Sequence, residues 1–244
     1  TSRKYAVVTD VQQAVDHAGR GSEMSYQIAK RLGELKRDME FALVQNQGSS
    51  AGSATVARSS AGVESWLTNP TGAATAGNST SIGTGGGYTT PGYASGTVTA
   101  PIDSSLTTVF TVAPLKSVIA ACWTAGGNPG IIMCGGSQKQ TISGFTGIAT
   151  LYREAGTTAK GTAIVGAADL YISDFGEHRI VPNRFSRNRT VLVLDMDYWA
   201  VAYLEKVSQN PVARTGSSEK KLIDTTYCLV ARNPTSSGKI EGCT

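Results

Sequence analysis

The apolar positions between residues 22 and 47 recur at steps of three and four, which is the period of one face of an α-helix. Polar and charged residues lie between them, so the pattern predicts a long amphipathic helix that ends at Gly48. At about 1.5 Å per residue this helix extends over roughly 39 Å, and we expect other elements to pack on it. The apolar positions that we expect to face the core are Ile28, Leu32, Leu35, Met39 and Leu43.

Two further helices are predicted from local signals. A short one spans residues 9–18, because Thr9 and Gln12 have capping-box spacing and Gly19 suits a left-handed stop. Another spans residues 114–125, with Pro114 in its first turn and apolar residues along one stripe. Residues 135–144 are predicted as a turn that leads into one more short helix.

The rest of the ordered pattern is typical of strands. Segments rich in Val, Ile, Tyr and Leu are separated by turn residues, and the clearest alternation of the two faces is at residues 221–232. This order of helices and strands predicts an α+β fold and not a repeating parallel βαβ fold. The predicted strands are residues 4–8, 131–134, 163–165, 169–173, 178–181, 190–196, 199–207 and 221–232.

Residues 48–104 are a run of Gly, Ser, Thr and Ala that is interrupted by an apolar island at residues 62–67. Two interpretations compete: a disordered linker, or a surface excursion held in place by contacts. The aromatic residues Trp66, Tyr88 and Tyr93 favour the second, because solvated linkers seldom carry such side chains.

Composition favours an ordered chain that is covered by neighbours. The hydrophobic fraction is 40%, the charged fraction is only 16%, and the formal net charge is +4 without a basic tail. No stretch reaches the roughly 20 apolar residues that a bilayer requires, so no membrane partner is expected. The four cysteines form no CxxC pair and are expected to be buried free thiols.

Sequence motifs of catalysis are absent. With two histidines there is no HExxH site, and the triglycine at residues 85–87 lacks the residues that would follow it in a phosphate-binding loop. Asp195 and Asp197 have the spacing of a carboxylate pair, but a strand end that turns into solvent is the simpler interpretation. We therefore predict no enzyme, no metal and no cofactor.

A basic stretch follows His178 around a Pro-Asn turn. Two interpretations of this stretch stay open: a contact with phosphate or with an acidic neighbouring subunit, or a solvated hairpin. The cations concerned are Arg184, Arg187 and Arg189. Any contact with DNA is expected to be nonspecific.

Several segments together resemble the major head proteins of tailed bacteriophages, whose fold is shared with encapsulin compartments. The matches run in order along nearly the whole chain, although each one alone is weak. They are AVDHAGR at 14–20, Glu23, YQ at 26–27, ELKRDME at 34–40, GGNP at 126–129, KQ at 139–140, ISGFTG at 142–147, YISDFG at 171–176, VPNRF at 181–185, LVLD at 192–195, ARTG at 213–216 and SEKK at 218–221.

The resemblance implies the tailed-phage major capsid fold, with a long spine helix, a peripheral domain and an axial domain. It divides the chain into the end of an extended loop or arm (1–21), the spine helix with the segment after it (22–67), the polar excursion (68–103), the axial domain (104–212) and the return strand of the peripheral domain (213–244).

The resemblance also implies a function, namely self-assembly into the hexamers and pentamers of an icosahedral head that encloses double-stranded DNA. Portal, scaffolding or decoration proteins are expected partners, the location is the virion, and assembly takes place in the host cytoplasm. Arg214 joins Arg184, Arg187 and Arg189 as an expected subunit or DNA contact. The alternatives are an encapsulin-like compartment shell, a surface adhesin, and a hydrolase that uses Asp195 or Asp174.

The resemblance begins part way into the family's pattern. Residues 4–8 are then expected to form a lone edge strand without the hairpin partner that an extended loop provides. We therefore expect an upstream arm that the particle contains and this sequence does not include, with proteolytic removal of that arm as the alternative.

Overall fold

The structure is a computed structural model of the 244-residue chain. Two sheets and five helices are found in the residues that it describes. The helices are α1 (Asp10–Ala14), α2 (Glu23–Val44), α3 (Val63–Trp66), α4 (Val112–Thr124) and α5 (Gly136–Ser143). The strands are β1 (Ser2–Thr9), β2 (Ser79–Ile82), β3 (Ile131–Cys134), β4 (Leu170–Ser173), β5 (Gly176–Pro182), β6 (Val191–Leu194), β7 (Trp199–Val212), β8 (Ser218–Ala231) and β9 (Gly238–Glu241). The described residues are 1–15, 19, 21–67, 79–82, 98, 100, 108–145 and 169–244.

The smaller sheet has three strands in the order β1-β8-β7. β1 is antiparallel to β8 over its whole length, from Ser2 opposite Thr225 to Thr9 opposite Ser218. The prediction of a lone strand at residues 4–8 is therefore wrong, because the long alternating strand near the carboxyl end supplies the backbone partners. Sequence spacing does not reveal this pairing, since the two strands lie at opposite ends of the chain.

Helix α2 packs on this sheet. Its N-cap is Ser22, whose hydroxyl accepts a hydrogen bond from the Ser25 amide at 3.4 Å. Alternating residues of β1 face the helix, so that Ala6 and Val8 form a small cluster with Met24. Of the positions expected to face the core, Leu35 and Met39 are buried, and the remaining three, Ile28, Leu32 and Leu43, are partly buried.

The end of α2 differs from the prediction. The helix ends at Val44 and not at Gly48, because Gln45 adopts an extended conformation with ψ of 158°. The Gln47 side chain donates to the Ala42 carbonyl at 2.8 Å and thereby satisfies one of the final carbonyls of the helix. Gly62 then packs against Gln45 so closely that a Cβ there would lie 1.9 Å from the Gln45 carbonyl oxygen. This close approach ties α3 to the end of α2.

The larger sheet has six strands in the order β2-β9-β6-β3-β5-β4. Only β3 and β5 are parallel, whereas the other neighbouring strands are antiparallel. All four residues of β6 are buried, as expected for a central strand covered on both faces. The α+β prediction is confirmed.

The two faces of this sheet contribute to different apolar clusters. Val191 and Val193 face α4 and α5, where the larger cluster also contains Leu115, Ile119 and Ile142. Leu192 and Leu194 face the other way, toward a cluster formed by Val44, Val63, Leu67 and Leu229. This second cluster contains residues of α2, α3, β6 and β8, and it therefore joins the two sheets.

Several boundaries differ from the predicted ones. α1 has the predicted Thr9 cap, accepting from the Gln12 amide at 3.3 Å, but it ends at Ala14 because Val15 is extended. α4 starts at Val112, two residues before Pro114, and β7 and β8 extend beyond their predicted ranges. β7 pairs with β8 in the smaller sheet, and β9 lies inside the larger sheet.

Some predicted features lie outside the described residues, among them the strand at 163–165 and most of the excursion at 68–103. The described parts of that excursion make contacts with the fold. β2 is antiparallel to β9, and the buried Val98 exchanges hydrogen bonds with Ser49 at 2.7 Å. These contacts join the described residues of this segment to the rest of the fold.

The buried face of α2 predicts unequal effects of two neighbouring substitutions. Leu35 is 0% exposed, so Leu35→Asp buries an unpaired carboxylate and is expected to destabilise the chain by at least about 3 kcal/mol. Lys36 is exposed, so the control Lys36→Ala is expected to cost under about 1 kcal/mol. Urea unfolding followed by circular dichroism measures both, and equal tolerance of the two changes would show that this face is misassigned.

Candidate assembly surface

Asp195 is a structural residue. Its carboxylate accepts hydrogen bonds from the backbone amides of Asn128 at 2.8 Å and Asp197 at 3.3 Å. It caps the short 3-10 turn Met196–Tyr198 and is buried, whereas Asp197 is exposed. The interpretation of a strand end in solvent therefore fits Asp197 and not Asp195. Because the carboxylate of Asp195 is already occupied by the loop that it stabilises, the pair does not form an acid-base site.

His178 is also structural. Its ring is buried, with Nδ1 at 2.5 Å from the Pro129 carbonyl oxygen and Nε2 at 2.6 Å from the Ser173 hydroxyl. The ring stacks on Tyr171, with centroids 6.1 Å apart. His178 thus fastens the β4–β5 hairpin to the loop before β3, and it does not belong to an exposed basic surface.

The four arginines expected to contact a subunit or DNA have different surroundings. Arg187 lies 3.5 Å from the buried Glu64 carboxylate, and Arg214 lies 3.6 Å from Asp10. Arg189 is partly buried, and its backbone carbonyl accepts from the Cys243 amide at 3.0 Å. Arg184 is exposed. Arg184 and Arg214 are thus the two exposed members, and of these two only Arg214 forms an ion pair with a residue that the structure describes.

Arg187 belongs to a buried group of four charges. Glu64 of α3 and Arg187 of the β5–β6 turn form one pair, and Lys239 and Glu241 of β9 form the other. Lys239 is 0% exposed. Burial lowers the pKa of Lys239, and the adjacent Glu241 carboxylate counteracts that effect. The group is balanced, with two positive and two negative members, which is the condition under which buried charges are tolerated.

The described residues contain no group of three or more His, Cys, Asp or Glu side chains that could hold a metal ion. A groove of about 230 Å³ lies between β1, α1 and the β7–β8 turn. Its polar groups are already engaged, since Thr9 caps α1 and Asp10 pairs with Arg214. Within the described ranges, no helix is long and apolar enough to span a bilayer.

Large apolar side chains are exposed at several places, among them Tyr26 and Phe41 on α2, Leu204 on β7, the outer face of β1 and the β4 edge of the larger sheet. On β1, Tyr5 and Val7 lie on the face of the sheet that α2 does not cover. At the edge of the larger sheet, Ile172 of β4 is 70% exposed. The neighbouring β4–β5 turn carries Phe175, which packs on the exposed Trp123 with ring centroids 5.2 Å apart. Exposed apolar groups that cluster in this way are typical of surfaces that bind another protein.

The structural use of the polar groups and the exposed apolar surfaces together are typical of a structural protein that binds other subunits. The chain matches the SU10 major capsid protein family over residues 1–244 and belongs to that family. This membership confirms the resemblance seen in the sequence, and the family is one of structural capsid proteins and not of enzymes.

A solved structure supports the fold. The chain is similar to one described as the cyanophage A-1(L) capsid asymmetric unit, with a TM-score of 0.67 and 14% sequence identity. The similarity covers 99% of this chain and 77% of the other. No curated protein sequence matches the chain significantly. The family match is to a phage major capsid protein, so the encapsulin-like alternative is not favoured.

The buried charge group predicts strong destabilisation when one member is removed. Lys239→Met leaves Glu241 buried without its cation and is expected to cost about 3–5 kcal/mol in urea unfolding of the subunit. The control Lys4→Met breaks the more exposed pair with Asp38 and is expected to cost under about 1 kcal/mol. Adding Glu241→Leu to Lys239→Met is expected to recover part of the loss. A Lys239→Met variant as stable as the wild type would show that the Lys239–Glu241 ion pair does not stabilise the fold.

The cysteines predict a simple labelling pattern. Burial raises the pKa of Cys122 and Cys243 to about 12 and that of Cys134 to about 11, whereas Cys228 is exposed on β8. Thiolates are the reactive species, so at pH 8 the folded subunit is expected to react rapidly with iodoacetamide only at Cys228. Peptide mass mapping reads the sites, and Cys228→Ser removes the fast reaction. Fast labelling at Cys122 would contradict the packing of α4.

Proposed function

We propose that this chain is the repeating subunit of an icosahedral phage head, in which it forms hexamers and pentamers around double-stranded DNA. The observation that carries the proposal is the family match along the whole chain. From this function we predict portal, scaffolding or decoration proteins as partners and the host cytoplasm as the site of assembly.

We propose a division of labour between the two sheets. The three-stranded sheet with α1 and α2 corresponds to the peripheral domain, and the six-stranded sheet with α4 and α5 corresponds to the axial domain. This assignment moves β7 to the peripheral domain and β9 to the axial domain, relative to the ranges expected from the sequence. The shared apolar cluster around Leu192 and Leu229 supports a firm connection between the domains.

The exposed apolar groups on β1 and at the β4 edge are the proposed contacts between neighbouring subunits. Such groups lower the free energy of assembly when a neighbour removes them from water, by roughly 25 cal/mol per Å² of apolar area. A low charged fraction of 16% reduces the number of ions that these interfaces would have to desolvate.

The proposal predicts capsomers or closed shells in purified samples. Light scattering and negative-stain electron microscopy are expected to show them with the wild-type chain. Ile172→Asp is expected to reduce assembly at least about tenfold because it places a charge on an apolar contact, while the subunit stays folded because that side chain is 70% exposed.

The matched control is Ile172→Val, which retains an apolar surface and is expected to assemble like the wild type. A wild-type chain that stays monomeric at all concentrations and salt conditions would overturn the capsid proposal. Normal assembly of Ile172→Asp would instead remove the β4 edge from the interface and leave the proposal standing.

A further inference from the structure

Helix α2 has a second distinct face, opposite the one that packs on the sheet. Lys30, Gly33 and Arg37 follow each other at steps of three and four, so they lie in one row along the helix. All three are exposed, and Leu35, which points to the core, lies on the opposite side. At about 1.5 Å per residue the two cations are roughly 10 Å apart along the axis.

The acidic residues of α2 are engaged within the chain. Glu34 pairs with Arg31 at 2.6 Å, and Asp38 pairs with Lys4 at 2.7 Å. The other two are hydrogen-bonded at 2.8 and 2.6 Å, Glu23 by Gln27 and Glu40 by Asn183.

The cations of the exposed row are not engaged in this way. Arg37 is close enough to Glu34 to help lower the pKa of that carboxyl. Neither Lys30 nor Arg37, however, forms an ion pair with any residue that the structure describes. The helix carries four acidic and four basic residues, and the exposed aromatic residues Tyr26 and Phe41 lie in line with the two cations of the row.

Among the residues that the structure describes, none requires glycine at position 33. It lies within α2, and a Cβ added there would meet nothing within 4 Å. Glycine in a helix interior is destabilising relative to alanine, so the fold alone would favour a larger residue. A glycine that lowers helix stability without improving packing within the chain points to a function. The missing side chain lets an external partner approach the helix closely between the two cations.

Arg184 extends the same surface at the end of the helix. Both of its neighbours in sequence contact α2: Asn183 donates to Glu40 at 2.6 Å, and Phe185 lies edge-on to Phe41 with ring centroids 6.3 Å apart. The Gln45 side chain also donates to the Phe185 carbonyl at 2.6 Å. Arg184 is therefore an exposed cation held beside the last turns of α2.

We infer that this row of Lys30, Gly33, Arg37 and Arg184 contacts the phosphate backbone of the packaged double-stranded DNA. The inference rests on the proposed capsid function and adds the surface that faces the genome. Lysine and arginine bind phosphate without regard to base sequence, and DNA presents a dense line of negative charge to a row of cations. The charge of the row is complementary to that of a polyanion, and this complementarity is the reason for choosing DNA over a neighbouring subunit.

The strength of the contact suits a shell. Three cations in one subunit give weak binding, but many identical subunits around one DNA molecule multiply it. Weak individual contacts hold the genome in place without preventing its release.

Binding of unassembled subunits to a labelled 30-base-pair duplex of mixed sequence tests the inference, with fluorescence anisotropy measured across a sodium chloride series. The triple variant Lys30→Gln, Arg37→Gln, Arg184→Gln is expected to reduce the slope of log Kd against log salt by up to about 2.7, or about 0.9 for each lost phosphate contact. The control Lys116→Gln, Lys206→Gln, Arg232→Gln removes the same charge from exposed positions elsewhere and is expected to leave the slope unchanged.

A second variant tests the close approach at Gly33. Gly33→Gln adds a side chain that meets nothing within the chain and keeps the charge, so we expect an equal or higher melting temperature together with weaker DNA binding. A purely structural role of Gly33 would move the melting temperature alone.

Four outcomes would overturn the inference: equal losses in the triple variant and its control, unchanged binding in the triple variant, unchanged binding in Gly33→Gln, or equal affinity for poly-glutamate, which would indicate an acidic protein as the partner. Electron microscopy of the same samples keeps the two proposals distinguishable. Shells formed by the triple variant with normal yield show that its DNA defect is separate from assembly, and loss of its assembly would make the row a subunit contact. A wild-type chain that forms no shells contradicts the capsid function itself.

Discussion

The position of α3 on the larger sheet depends on a buried group of opposite charges. Glu64, Arg187, Lys239 and Glu241 come from three separate elements, and each would be expensive to bury alone. Their charges sum to zero only when α3, the β5–β6 turn and β9 are all in place. Apolar packing is tolerant of small shifts, whereas a buried ion that loses its partner is not. The charge group therefore selects one position of α3 among those that the surrounding apolar cluster would allow.

The position of α3 in turn fixes the long helix relative to the larger sheet. Val63 and Leu67 place α3 in the cluster shared with β6 and β8, while the close contact of Gly62 with Gln45 attaches it to the end of α2. A movement of α2 would therefore disturb both the apolar cluster and the charged one. This coupling holds α2, α3 and the larger sheet in one arrangement, which suits a shell subunit that makes contacts through both sheets.

Local signals in the sequence predicted the local structure well. The three-and-four spacing of Leu35 and Met39, the cap at Thr9 and the apolar run at 131–134 all correspond to elements of the fold. Signals that depend on distant partners could not be seen in the same way. β1 pairs with β8 from the other end of the chain, and α2 stops at Val44 because Gln45 turns toward α3, not because of a glycine. The resemblance to phage head proteins supplied the family, which periodicity could not.

Partners that are distant in sequence also explain why the surroundings of the arginines could not be predicted. A run of arginines looks alike in sequence whether its members are buried or free, so the ion pair of Arg187 with Glu64 could not be foreseen. By contrast, the helical period that placed Leu35 in the core also places Lys30, Gly33 and Arg37 together on the opposite side. Which cations of the helix have ion-pair partners is known only from the structure. Apolar side chains are exposed on both sheets and also on α2, where Tyr26 and Phe41 lie in line with Lys30 and Arg37. Neither cation forms an ion pair with a residue that the structure describes. The proposed subunit contacts on β1 and at the β4 edge and the proposed DNA contact on α2 therefore belong to different elements, so a substitution in one need not weaken the other.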